Sequence, residues 1–193
     1  MSEPLDNLQM DGVDCIRHVN ESRTRGTVMV DEGSGKVVLV EHKTVADKGS
    51  TGMTDAKTVW QTVVEHWVKH YGKPLHIRTD PEGCYRSKEL HDFAEQHDIW
   101  WDVSPGEAHW RQGRAEVAWS LLQVALNKMA TLDPECPVGE LFSWVGAAHN
   151  EMFRAQGASP DQVIFGRSRR PLDSELLGST RQLEAEATEG SPA

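Results

Sequence analysis

The sequence of 193 residues predicts an α/β fold. Residues 27–31 and 36–41 are runs rich in β-branched side chains, and the turn-forming segment 32–35 joins them. This is the pattern of a β-hairpin. Beyond the hairpin, short segments in which apolar and polar residues alternate are separated by longer segments with helical spacing. Strands and helices that alternate in this way are typical of an α/β domain.

An opening strand is predicted before the hairpin. Within residues 8–15, Leu8 and Met10 alternate with Gln9 and Asp11. A period of two is the signature of a strand with one buried face. The strand would carry Asp11 in its middle.

A helix and a short strand are predicted after the hairpin. The helix begins near Thr54, which can cap it, and ends before Gly72. Residues 75–79 then alternate behind the turn residue Pro74, so they predict a half-buried strand with Asp80 at its end. The buried face of the helix is expected to comprise Val59, Val63, His66 or Trp67, and His70.

The next elements are a helix, a strand and a long amphipathic helix. Ser87 starts a helix that runs to about His97, and the alternation within residues 99–103 predicts a strand. The long helix covers about residues 109–130 and carries Glu116 near its start. Its core-facing stripe is formed by Ala115, Trp119, Leu122, Leu126 and Met129.

Changes in composition and the prolines at the boundaries, Pro134 and Pro171, divide the chain into three parts. Residues 1–133 hold the elements described above, and residues 134–170 hold a further helix and a short one that are expected to pack on them. Residues 171–193 are polar and acidic without any periodicity, so we predict a disordered tail.

The spacing of two carboxylates is the strongest signal in the chain. Asp80 stands at the predicted end of a strand, Glu116 stands on the long helix, and 35 residues separate them. A carboxylate at a strand end and one on a following helix can meet in space. The pair therefore marks a candidate site.

The blocks around these residues resemble a known family. IRTDPEG, a following S-x-E-L-x-x-F and HWRQGRAE resemble the second and third catalytic blocks of retroviral and LTR-retrotransposon integrases. AHNEMFRAQGASPDQVIFGRSRRP resembles the segment that follows the catalytic core in gypsy- and copia-type integrases. The resemblance implies a ribonuclease H-like fold, with a mixed five-stranded sheet flanked by helices and a C-terminal helical extension.

The resemblance also implies a metal site and an activity. Asp80 and Glu116 take the second and third catalytic positions. For the first, Asp11 matches the family's strand-borne Asp, whereas Asp31 matches a later hairpin position; we choose Asp11, and Asp31 stays open as the alternative. Oxygen ligands of this kind suit Mg²⁺ or Mn²⁺, and two such ions would act when DNA is bound. The implied function is DNA strand cleavage and transfer during integration.

Contacts to DNA are expected next to Glu116. By the resemblance, His109, Arg111, Gln112 and Arg114 would touch element ends or target DNA. The net charge of −10 stands against this, because phosphate binding draws on basic surface. A catalytically inactive, retrotransposon-derived nucleic-acid-binding or scaffold protein is therefore the alternative.

The composition of the chain bears on where in the cell the protein is expected. The sequence shows no signal peptide and no apolar run long enough to cross a bilayer, so we expect an intracellular protein of nucleus or cytoplasm that is not secreted and not bound to a membrane. The three cysteines share no C-x-x-C spacing, which argues against a disulfide framework or a zinc site. A homodimer is a further expectation.

Overall fold

A mixed five-stranded sheet in the order β3-β2-β1-β4-β5 forms the centre of the protein, as predicted. The structure, a computed structural model, describes residues 3–16, 23–42, 55–81, 83–105, 113–152, 154 and 157–168. The predicted tail 171–193 lies outside these ranges. The strands are β1 (Asn7–Ile16), β2 (Arg23–Asp31), β3 (Val37–His42), β4 (His76–Thr79) and β5 (Trp100–Val103).

Strand β1 occupies the middle of the sheet. It pairs antiparallel with β2, where Met10 lies opposite Met29, and parallel with β4, where Met10 lies beside Thr79. The side chains of a strand alternate between the two faces of a sheet. Met10 therefore faces one layer of helices, while Asp11 and Val13 face the other.

Helices cover both faces of the sheet. Asp55 caps the first of them through its side chain, one residue after the predicted start at Thr54, which lies outside the described residues. Ser87 and Ser159 cap two others. The helices are α1 (Ala56–Val63), a π-helical stretch (Val64–Val68), α2 (Lys69–Tyr71), a 3₁₀ turn (Gly83–Arg86), α3 (Lys88–Gln96), α4 (Gly113–Leu132), α5 (Val138–Glu151) and α6 (Pro160–Phe165).

The π-helical stretch was not predicted. It lies between α1 and α2 and has a wider turn than an α-helix. The wider turn keeps Val59, Val63 and Trp67, which follow one another at intervals of four residues, on the buried side. The prediction that His70 belongs to the buried face is wrong, and of the alternatives His66 and Trp67 only Trp67 is buried: both histidines are exposed.

Two hydrophobic clusters hold the helices on the sheet. One joins the face of Met10 to α1 and α3, and the other joins the face of Val13 to α4 and α5. On α4 the predicted stripe is confirmed: Ala115, Leu122 and Leu126 are buried, while Trp119 and Met129 are partly buried. Among the described residues, no helix is both long and apolar enough to cross a membrane.

The helices after α4 secure the edge strand β3. Asn150 of α5 accepts a hydrogen bond from the Val37 main-chain nitrogen at 2.8 Å and donates one to the Val37 carbonyl at 2.7 Å. Phe142 of the same helix packs so closely on Gly26 that a β-carbon there would lie 2.6 Å from its ring. Because an open strand edge invites pairing with other chains, this side-chain cover also protects the sheet.

A buried ion pair attaches α6 to the hairpin. Lys36, just before β3, donates to the Asp161 carboxylate, and both side chains are almost fully buried. The Lys36 ammonium also lies 5.6 Å from the ring centres of Tyr71 and Phe165. Removing one partner of a buried pair leaves the other charge without compensation, which is strongly destabilising.

We therefore expect Asp161→Asn to lower the free energy of unfolding by about 3 kcal/mol, as measured by urea denaturation. The double variant Lys36→Met with Asp161→Leu should recover most of this loss, because no charge is then buried. Glu65→Gln, which breaks an exposed pair with Lys69, serves as the control and should have little effect. Wild-type stability in Asp161→Asn would contradict this account of the extension.

A second polar contact lies at the end of α5. Arg154 donates a hydrogen bond to the carbonyl of His149, and its guanidinium lies 2.7 Å from the imidazole Nε2. Burial, and then the positive charge of Arg154, lower the pKa of His149 to about 4. The folded state thus resists protonation of this ring.

Stability should fall on acidification below pH ~6.5, the ordinary pKa of histidine. Between that value and about 4 the unfolded chain binds a proton that the folded His149 does not, so the free energy of unfolding decreases as pH falls. The loss per pH unit from this group is at most about 1.4 kcal/mol. Urea denaturation of His149→Gln between pH 7 and 4.5 should show a shallower pH dependence than wild type. An identical dependence would contradict the assignment.

Candidate active site

The pairing of β1 with β4 places two of the predicted carboxylates side by side. Met10 and Thr79 are partners in the parallel ladder, and the next residues along the two strands are Asp11 and Asp80. Neighbouring strands lie ~4.8 Å apart. The main chains of Asp11 and Asp80 are therefore adjacent where the ladder ends, and both residues are half-buried.

The third carboxylate comes from the first turn of α4, which is fixed to β1. The main-chain nitrogen of Ala115 donates to Gln9 Oε1 at 3.1 Å, and Gln9 is only 3% exposed. Gln9 shares a sheet face with Asp11, because the two are two positions apart on one strand. Glu116 follows Ala115 directly and is exposed. The structure thus brings together the three segments that carry Asp11, Asp80 and Glu116.

The donor chemistry of these segments fits a hard divalent cation. Carboxylate oxygens are the ligands that Mg²⁺ and Mn²⁺ prefer. Within the described ranges, no three His, Cys, Asp or Glu side chains are grouped closely enough to hold a metal ion. Three carboxylates repel one another when no cation lies between them. The convergence of the three carboxyl groups themselves stays a prediction.

Asp31, the alternative first carboxylate, has a structural role. Its Oδ1 accepts a hydrogen bond from Leu5 N at 2.9 Å, and its Oδ2 accepts from Ser34 N at 2.7 Å and from Ser34 Oγ at 2.6 Å. The residue is fully buried. It pairs with Leu8, which is roughly 10 Å along β1 from Asp11 and points to the opposite face of the sheet. These contacts favour Asp11 as the first carboxylate.

Of the four predicted DNA contacts, only Arg114 can be described. Its guanidinium donates to the main-chain carbonyl of Glu32, and its side chain is exposed. Arg114 thus helps to hold the start of α4 on the sheet. His109, Arg111 and Gln112 lie outside the described residues, and their contact with DNA stays a prediction.

Sequence reasoning missed the polar residues that join these segments. Gln9 Nε2 donates to Glu32 Oε1 at 2.7 Å, and an Arg78 nitrogen donates to the same oxygen at 2.6 Å. Arg78 also pairs with Asp102, at 3.4 Å. Alternation placed Gln9 and Arg78 on the polar side of their strands, but only the strand register shows that they are neighbours. Glu32, Arg78 and Asp102 line a cleft together with His76 and Trp100. The candidate metal ligands are not among the residues that line this cleft.

Comparison with solved structures identifies the fold. The HTLV-2 integrase catalytic core in complex with magnesium, in a dimeric form, superposes with a TM-score of 0.67 at 20% identity, over 83% of this chain and 97% of that one. The BIV integrase catalytic core gives a TM-score of 0.62 at 18% identity, over 93% and 99%.

A chain of the simian T-cell lymphotropic virus intasome in complex with PP2A regulatory subunit B56 gamma gives a TM-score of 0.73 at 19% identity. The match covers 89% of this chain and 58% of that one. No family model and no curated protein matches the sequence. The chain has the ribonuclease H-like fold, in the form seen in retroviral integrase catalytic cores, as the sequence blocks imply.

The two Asp residues weighed for the first position should respond oppositely to substitution. Asp31→Asn puts an amide where Ser34 offers two donors, so we expect a loss of about 3 kcal/mol in the free energy of unfolding. Asp11→Asn should change it by less than about 1 kcal/mol, since it removes one of several neighbouring like charges. Thermal and urea denaturation measure both. A tolerated Asp31→Asn together with a strongly destabilised Asp11→Asn would reverse the assignment.

Proposed function

We propose that this protein is an integrase-type polynucleotidyl transferase core that cleaves and joins DNA strands with the help of Mg²⁺ or Mn²⁺. The observation that carries the proposal is the placement of Asp11 beside Asp80 in the sheet, with the first turn of α4 fixed to the same strand. This arrangement occurs in a fold shared with integrase catalytic cores. The carboxylate of Glu116 would complete an all-oxygen donor set.

The chain's own residues would hold and orient the reacting groups. Asp11, Asp80 and Glu116 would hold the cations. The first two are half-buried and Glu116 is exposed, so a DNA strand could reach the site. When bound, two divalent ions activate the attacking oxygen and stabilise the leaving oxygen and the charge on phosphorus. The buried network around Gln9 keeps the start of α4 in place while DNA binds.

The choice of DNA as substrate rests on the sequence blocks and on local charge. Arg114 lies two residues before Glu116, and Arg167 is exposed after α6. Local groups of basic residues can bind phosphate even when the net charge is negative, because exposed charges are screened beyond ~8–10 Å at physiological salt. Homodimer formation stays a prediction.

One observation favours the alternative of a non-catalytic scaffold. Directly after Glu116, the outer face of α4 carries Val117, Leu121 and Val124, with exposed fractions of 62%, 60% and 54%. Such a row suits a protein partner better than a phosphate backbone. A scaffold would show neither metal-dependent DNA chemistry nor salt-sensitive DNA binding.

The test is a labelled DNA end incubated with the protein and Mn²⁺ or Mg²⁺. We expect metal-dependent nicking or strand transfer that Glu116→Gln lowers by several orders of magnitude, because an amide replaces a charged metal ligand. DNA affinity should stay unchanged or rise slightly in that variant. Glu89→Gln, an exposed glutamate in the first turn of α3, is the matched control and should behave as wild type. Equal metal-dependent activity in the two variants would remove Glu116 from the metal site, and no activity in any protein would favour the scaffold.

A further inference from the structure

A polar network centred on Glu32 lies beside the candidate site. Oε1 of Glu32 accepts hydrogen bonds from Gln9 Nε2 at 2.7 Å and from an Arg78 nitrogen at 2.6 Å. The main-chain carbonyl of the same residue accepts from the guanidinium of Arg114. One residue of the β2–β3 hairpin thus binds donors from β1, β4 and α4.

The three residues that donate hydrogen bonds to Glu32 are close in sequence to the three candidate metal ligands. Each donor stands two residues before one of the candidate metal ligands. On a strand, two residues is the spacing that keeps side chains on one face, at a separation of about 6.6 Å. On α4, Ala115 lies between Arg114 and Glu116, and its main-chain nitrogen donates a hydrogen bond to Gln9. The pairs are Gln9 with Asp11, Arg78 with Asp80, and Arg114 with Glu116.

We propose that Glu32 is a positioning residue for the metal site: it sets the relative placement of β1, β4 and the first turn of α4, so that their carboxylates can share cations. The inference rests on the proposed function. Glu32 itself is not a ligand, because its Oε1 accepts two hydrogen bonds and its side chain belongs to the cleft away from the three carboxylates.

Burial supports a positioning role over a chance surface contact. The side chains of Glu32 and Arg78 are 16% and 26% exposed, and Gln9 is almost fully buried. Hydrogen bonds to charged groups in such surroundings are stronger and better ordered than exposed ion pairs. The partners that orient metal ligands typically change metal affinity about 10- to 100-fold when they are removed.

The Glu32 carboxylate also pairs with Arg78, a cation that stands close to one of the candidate ligands in the chain. Arg78 lies on β4 and Asp80 is the first residue after it, so the two are two positions apart, about 6.6 Å along an extended chain. A guanidinium released from Glu32 could pair with Asp80 and compete there with a metal ion. Loss of the Glu32 carboxylate therefore acts on the site in two ways, through placement and through charge.

The experiment is Mn²⁺ binding by the full chain, measured by calorimetry and by the electron paramagnetic resonance signal of free Mn²⁺. Glu32→Ala should weaken Mn²⁺ affinity at least about tenfold. Glu32→Gln should restore most of it, because the amide oxygen still accepts from Gln9 and Arg78. The matched control is Asp102→Ala, which removes the weaker contact of Arg78 at 3.4 Å and should leave affinity within about twofold of wild type.

A second variant covers the case in which Glu32→Ala does not fold. Arg114→Ala alters an exposed side chain and removes one link to Glu32, so affinity should fall about threefold, whereas Arg86→Ala, also exposed, should not change it. Wild-type affinity in a folded Glu32→Ala protein, or in Arg114→Ala where Glu32→Ala does not fold, would overturn the inference and leave the proposed function standing. No Mn²⁺ binding by the wild-type chain would overturn both.

Discussion

The hydrogen bond between the Ala115 main-chain nitrogen and Gln9 Oε1 is the contact on which the candidate site depends. It satisfies one of the donors that every helix leaves unpaired in its first turn. The acceptor sits on the central strand of the sheet, two residues from Asp11. This one buried bond thus satisfies a donor at the start of α4 and fixes the position of the first turn, which carries Glu116, relative to β1. Glu32 extends this constraint to β4, because it binds both Gln9 and Arg78.

The segment after α4 has a different task. Its family-like residues serve the fold: Asn150 binds the edge strand, Ser159 caps α6 and Asp161 pairs with Lys36 inside the protein. Gly166 ends α6 in the left-handed conformation, at φ 69°, which glycine adopts without strain. The sequence block after α4, which resembles integrases, therefore stabilises the fold: it holds β3 and the hairpin that carries Glu32.

The elements were predictable from local pattern, whereas the choice among carboxylates was not. Alternation located β1, β4 and β5, runs of β-branched residues located β3 and the second half of β2, and Ser87 fixed the start of α3. Asp11 and Asp31 could not be separated by pattern, because the partner that decides the matter, Leu5 N, is 26 residues from Asp31. The π-helical stretch and the Glu32 network likewise depend on tertiary packing and strand register, which no single segment encodes.

The acidic balance of the chain has a partly internal explanation. Asp31, Glu32 and Asp161 each accept hydrogen bonds from groups inside the fold, so their charges stabilise turns, strands and α6. Asp11, Asp80 and Glu116 stand at the end of the sheet ladder and on the first turn of α4, where a cation could reach them. Because screening confines exposed charges to short range, the charges nearest Glu116 matter more for an approaching DNA strand than the total of −10. The net charge therefore does not decide between an enzyme and a scaffold; the metal affinity of the three carboxylates does.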